Sequence, residues 1–231
     1  MPLDLPAASA LALAFGKSFG VVFAVLLPIL NPAATAPIFL GLTEGASAQT
    51  RATLALRIAR NMVLLMTGAM LVGSYVLDLF GISLPIVRVG GGLIVAANAW
   101  RLLNAEHATS DSRRALAEGF TPEHARRQAF YPLTFPISCG PGSIAAAITL
   151  GVTLVDPSPA VALARFGGGW LGLAAVGVIM ALVFRYATLL LRPLGETGTL
   201  VFLRLSAFIL LCLGVQIVWD GVRELVLSLG V

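Results

Sequence analysis

Two windows of this chain, 18–43 and 128–155, hold no charged residue, and each carries a proline-bearing break near its centre. The breaks read Leu30-Asn31-Pro32-Ala33-Ala34-Thr35-Ala36-Pro37 and Phe135-Pro136-Ile137-Ser138-Cys139-Gly140-Pro141-Gly142-Ser143. Either window is long enough to cross a hydrocarbon layer ~30 Å thick, which takes about 20 helical residues. Inside such a layer a backbone N–H or C=O freed by a break costs on the order of several kcal/mol unless protein, water or a ligand satisfies it. Interrupted spans at corresponding places in two halves of a chain point to the binding site of a transporter.

The rest of the chain is equally apolar. Of its 231 residues 58% are hydrophobic and only 11% charged, with a mean hydropathy of +0.94. Those values exclude a soluble globular domain and indicate an all-α, polytopic membrane protein. Apolar runs give six spans, at 18–43, 61–79, 82–100, 128–155, 167–191 and 200–218. Residues Leu5 to Gly16, ahead of Lys17, extend the first helix or lie in the interface. Met1-Pro2-Leu3-Asp4 offers no positive region of the kind that opens a signal peptide.

The net charge of +4 follows membrane topology rather than a nucleic-acid surface, and no nucleic-acid partner is expected. Loops one, three and five carry Arg51, Arg57 and Arg60, then Arg101, Arg113, Arg114, Arg126 and Arg127, then Arg192 with Arg185 close by. The other side holds Arg165 and Arg223, plus Lys17 and Arg88 near or within span ends. By the positive-inside rule the arginine-rich side is cytoplasmic and both termini face outward.

The polar connector 101–127 separates residues 1–100 from 128–231, three spans in each. An odd number of spans per half requires the second half to insert upside down. The expected fold is therefore six transmembrane helices as two inverted three-helix repeats, with helices 1 and 4 broken. Spans three and six both carry an arginine just inside an apolar run, Arg88 and Arg204, and both end near a tryptophan, Trp100 and Trp219. Within the connector, 112–127 reads as a solvated loop or a short amphipathic helix. His107 and His124 lack partners at ligand spacing, so no metal site is expected. Cys139 and Cys212 fall inside spans and read as small packing residues.

Asn31-Pro32 is a helix-start signal, since asparagine caps free N–H groups and proline suits the first helical position. Gly140-Pro141 repeats the pattern without a capping side chain, which leaves the first-turn N–H groups open. A helix N-terminus carries roughly +0.5 charge and suits a carboxylate. The candidate substrate-binding residues are Asn31, Pro32, Thr35, Ser138, Gly140, Pro141, Gly142 and Ser143. The plainer alternative is that the prolines kink helices and that Asn31 and Ser138 bond between them.

Asp78, Arg88, Arg204 and Asp220 near span ends are candidates for an ion pair or gate, against simple snorkelling at the interface. Gly90-Gly91-Gly92 suits close helix packing, and Gly167-Gly168-Gly169 reads as a flexible loop entering span five. No Ser–His, Cys–His or phosphate-loop constellation is present, so neither a catalytic role nor a cofactor is expected.

These motifs, taken together, resemble the MarC family of bacterial inner-membrane proteins. The resemblance rests on Asn31-Pro32 through Pro37-Ile38-Phe39-Leu40 with Leu42-Thr43, on Phe80-Gly81-Ile82-Ser83-Leu84-Pro85, and on Arg88-Val89-Gly90-Gly91-Gly92. In the second half it rests on Pro136 with Gly140-Pro141-Gly142-Ser143-Ile144-Ala145, and on Arg204 with Val215-Gln216 and Asp220-Gly221. Ala33-Ala34-Thr35 departs from the glycine-containing turn more usual in the family, and Cys139 stands where a small residue is common.

The resemblance implies a six-span protein of the bacterial inner membrane and, as in some relatives, transport of small neutral amino acids such as glycine and alanine. The partners expected are the lipid bilayer, a small-molecule solute and a coupling proton or sodium ion, with oligomer formation left open. A non-transporting scaffold or assembly protein is the alternative reading.

Overall fold

A computed structural model of the chain describes residues 5–43, 46–104 and 129–228. The helices are α1 (Leu5–Leu30), α2 (Pro32–Leu42), α3 (Ala48–Leu79) and α4 (Leu84–Asn104), then α5 (Pro141–Leu154), α6 (Pro159–Arg185), α7 (Ala187–Leu191) and α8 (Gly195–Ser228). A wide-turned segment, Ala129–Ser138, precedes α5, and a short 3-10 turn, Arg192–Leu194, precedes α8. Five helices are long and apolar enough to cross a membrane, and the wide-turned segment with α5, bent by 75°, brings the number to six when the two count as one span. The chain is thus all-helical and polytopic among its described residues. The connector positions His107, His124 and 112–127 lie outside them.

The first span starts earlier than its charge-free window. Helix α1 has 26 residues, about 39 Å at 1.5 Å per residue, so Leu5 to Gly16 extend it through Lys17. Asn31 therefore ends a full-length helix rather than interrupting one halfway. Helix α3 likewise begins at Ala48 and carries Arg51, Arg57 and Arg60 within it, because a charge at a helix end leaves the hydrocarbon but not the helix.

Gly167-Gly168-Gly169 is a correction to the sequence reading: all three lie inside α6, with Gly168 and Gly169 buried. They form no loop because the absence of a side chain is used for packing. A Cβ on Gly168 would run into the backbone carbonyl of Phe15 in α1, and one on Gly172 would stand 2.7 Å from the carbonyl of Phe19. Small residues let membrane helices approach this closely.

The same device recurs elsewhere. Gly151 of α5 sits on the Met70 carbonyl of α3, and Gly73 of α3 on Ile148. Gly92 of α4 would place a Cβ 2.8 Å from the Gly214 carbonyl of α8. Gly91 and Gly92 thus pack as their sequence suggests, whereas Gly90 faces open space.

The extensive pairings are α1 with α6, α3 with α5 and α6, α4 with α8, and α4 with α5; α2 touches α6 and α8. With the spans numbered one to six, exchanging one with four, two with five and three with six maps this set of pairings onto itself. One apolar core joins α1, α2, α3, α5 and α6, with Leu26, Phe39, Ile58, Met62, Met66, Leu173, Met180 and Phe184 fully buried. A second, small cluster of Val95, Ala99 and Leu210 lies between α4 and α8. Exposed apolar side chains, such as Leu64 and Leu71 of α3 and Leu205 and Phe208 of α8, give the outer surface the character that hydrocarbon requires.

Candidate functional site: the two helix breaks

At the first break the backbone N–H of Asn31 still donates to Leu27 O at 3.0 Å, closing α1. Asn31 then turns left-handed (φ 43, ψ 62), and its side-chain Oδ1 accepts from Ala34 N at 3.2 Å, starting α2. One residue ends one helix and caps the next. Asparagine suits this because its short amide tolerates φ > 0 better than other side chains bearing a Cβ, and Pro32, buried, follows in first position.

The second break is more open. Segment Ala129–Ser138 is interrupted by extended backbone at Tyr131 and Phe135, and the Phe135–Pro136 peptide is cis. Gly140 is extended (φ -84, ψ 173) and provides no side-chain cap to α5. Where a Gly140 side chain would stand, Asn98 Nδ2 of α4 is 3.8 Å away and Pro136 O 3.7 Å. An amide donor, a carbonyl acceptor and a helix start without a side-chain cap thus lie side by side, with Asn98, Pro136 and Pro141 exposed. Asn98 is not among the residues the sequence marks for the site; its nearness to Gly140 is a contact between halves that no local pattern carries.

The hydroxyls expected to line the site donate to their own chain. Thr35 Oγ1 donates to Asn31 O (3.1 Å) and Pro32 O (3.2 Å), Ser138 Oγ to Leu133 O (2.8 Å) and Ser143 Oγ to Gly140 O (2.7 Å). Back-bonding of this kind is common for hydroxyls in helices. It leaves their oxygens as acceptors only. Gly142 is buried against Val95 and the Gly91 carbonyl, so it sets helix spacing, while Pro141 is exposed. The two breaks converge on α4: Ile29, two residues before Asn31, packs on the Val95–Ala99–Leu210 cluster, and Gly142 packs on Val95.

The far end of each half-helix is held by an arginine from the helix that follows. Arg51 of α3 donates to the Thr43 carbonyl at the end of α2 from Nε and Nη2 (3.3 Å each), and reaches Thr188 Oγ1 through Nη1 at 3.4 Å. Arg165 of α6 donates to Thr153 O (3.5 Å) and Val155 O (3.4 Å) at the end of α5, and pairs with Asp156 at 2.9 Å. Cations at helix C-termini oppose the helix dipole.

Of the four charges near span ends, Arg88 forms an ion pair with Glu224 across α4 and α8. Asp220 accepts from Gln216 at 2.9 Å on its own helix. Asp78 and Arg204 are exposed. Glu224 was not singled out in the sequence, since its match to Arg88 depends on the antiparallel register of α4 and α8.

Known proteins resemble this chain over almost its whole length. The model for the MarC family of integral membrane proteins matches residues 16–226. The inner membrane protein MarC of Escherichia coli O1:K1 is 34% identical over 201 residues, covering 86% of this chain and 91% of that protein. The proteins of the same name from Escherichia coli K12 and Shigella flexneri are 33% identical over the same length and coverage. No solved structure matches. A match spanning both breaks and all the long helices has one conclusion: the chain belongs to the MarC family of integral membrane proteins.

Proposed function

We propose that this protein is an inner-membrane transporter of small neutral amino acids, of glycine or alanine size, working by alternating access around the two helix breaks. Its relatives' names supply the membrane; the chemistry supplies the solute. The observation that carries the reading is the uncapped start of α5 at Gly140 with Asn98 Nδ2 beside it. A carboxylate takes the Gly142 N–H and the amide, since Pro141 has no N–H and the Ser143 N–H donates to Gly140 O. The ammonium of the same zwitterion takes a carbonyl such as Pro136 O. The exchange pattern of the helix pairings supports two inverted halves, with the arginine-rich side toward the cytoplasm and both termini outside. The chemistry is binding and movement, with no bond made or broken.

The test is flux of labelled alanine and glycine in proteoliposomes under an imposed proton or sodium gradient. Wild type carries flux, and Asn98→Ala loses it while remaining folded in detergent. Absence of flux for every small neutral amino acid under both gradients removes the reading.

A further inference from the structure

The α4–α8 pair is packed differently from the rest of the molecule. Its own interface is close: Gly92 sits on the Gly214 carbonyl, Gly214 on the Ala96 backbone, and Gly221 on Pro85 O and Val89. The Arg88–Glu224 ion pair joins the start of α4 to the end of α8. Its apolar cluster of Val95, Ala99 and Leu210 is separate from the main core. Among the described residues, its extensive contacts with the remaining helices run through the broken spans, α4 to α5 and α8 to α2 and the end of α1. The pair has no comparable packing on α3 or α6, the helices at the centre of the main core.

We propose that α4 and α8 form one rigid body that moves against a second body made of the main core, α1, α2, α3, α5 and α6, with the faces of α2 and α5 as the contact surface. Two packed units touching mainly at two interrupted helices can rearrange there without repacking either core. Helix α5 makes both contacts: Gly142 and Ala145 face α4, while Ile148 and Gly151 face α3. Ala146 and Ala147 of the same turns lie in the main core, so α5 belongs to the second body and offers one face to α4. On the first side Ile29, just ahead of Asn31, reaches the α4–α8 cluster, while Phe39 of α2 stacks on Phe184 of α6 with ring centroids 4.7 Å apart. Displacement of the pair therefore bears on Gly140, where Asn98 of α4 stands beside the start of α5. The proposal deepens the transport reading and rests on it for its purpose, but the motion itself is measurable without any solute.

The experiment uses full-length protein with Cys139→Ala and Cys212→Ala as background. Oxidation of Ile29→Cys with Val95→Cys, or of Ile29→Cys with Leu210→Cys, staples the two bodies together. Oxidation of Ala99→Cys with Leu210→Cys, which share one cluster, staples α4 to α8 within one body. Both inter-body staples should abolish alanine flux, with recovery on reduction, and the intra-body staple should leave it at the level of its reduced form. Flux that survives the inter-body staples, or is lost through the intra-body one, overturns the proposal.

A second measurement is independent of transport: spin labels on Leu93 of α4 and Leu64 of α3, both exposed, should report two distances. Labels on Leu93 and Phe208 of α8 should report one. A single fixed distance between Leu93 and Leu64 also overturns the two-body arrangement, whereas two distances without flux in any variant uphold it and discard only the transport reading.

Discussion

Asn31 is the residue on which the first break turns, and replacing it separates its structural role from its chemical one. Alanine removes the bond from Oδ1 to Ala34 N, a cap worth about 1 kcal/mol. It also places a Cβ without local hydrogen bonding at φ 43, where a residue other than glycine, asparagine or aspartate pays roughly 1 kcal/mol more. Glycine suits that φ, replaces an asparagine cap at a cost of a few tenths of a kcal/mol, and adds about 0.5–1 kcal/mol of backbone entropy. The sums are about 2 kcal/mol for Asn31→Ala and about 1 for Asn31→Gly.

In a chain of this size each kcal/mol moves Tm by about 2–4 °C. Thermal unfolding in detergent should therefore rank wild type above Asn31→Gly, and Asn31→Gly above Asn31→Ala by a few degrees. If Asn31→Ala unfolds at or above the temperature of Asn31→Gly, the left-handed cap does not hold the break and the argument fails. Flux then reads the other role: Asn31→Gly keeps the break but lacks the amide, so it should lose alanine flux out of proportion to its small change in Tm.

Gly140→Ser should raise Tm, because the extended backbone at Gly140 accepts any residue and its Cβ position is uncrowded. The new hydroxyl caps α5 better than glycine by about a few tenths of a kcal/mol, and by engaging the first-turn N–H it should weaken alanine binding in isothermal calorimetry. Gly92→Ala should lower the yield of folded, monodisperse protein on size-exclusion chromatography, since its Cβ meets the Gly214 carbonyl, while Gly90→Ala, facing open space, should match wild type. Arg51→Ala should cost about 1–2 kcal/mol by freeing the carbonyl end of α2, and Arg51→Lys should restore part of it in the same unfolding assay.

Local grammar carried much of this architecture. The Asn31-Pro32 pair announced both a stop and a start because capping and the missing proline N–H are properties of adjacent residues. Gly140-Pro141 announced a start without a cap for the same reason. The length of α1 was less legible, because Lys17 marks where a charge meets an apolar run rather than where a helix begins. Gly167-Gly168-Gly169 misled because glycine is the residue of loops in water and of helix contacts in a membrane, and only the position of Phe15 on a facing helix separates the two. The set of groups beside Gly140 was hidden for a further reason. Asn98 lies in the other half of the chain, and nothing in its own neighbourhood refers to residue 140.

Within the core, Met62, Met66 and Met70 recur every fourth residue along α3, and Met180 lies in the same core from α6. These are unbranched, polarisable side chains with several rotatable bonds, which fill irregular gaps and re-form contacts readily. Beside the glycine contacts, the central helices α3 and α6 thus meet through a compliant seam. A change in helix tilt beside such a seam can be absorbed by thioether rotation without opening a void. The methyl groups of those methionines would also register it as a change in their own surroundings, four native reporters at the centre of the fold.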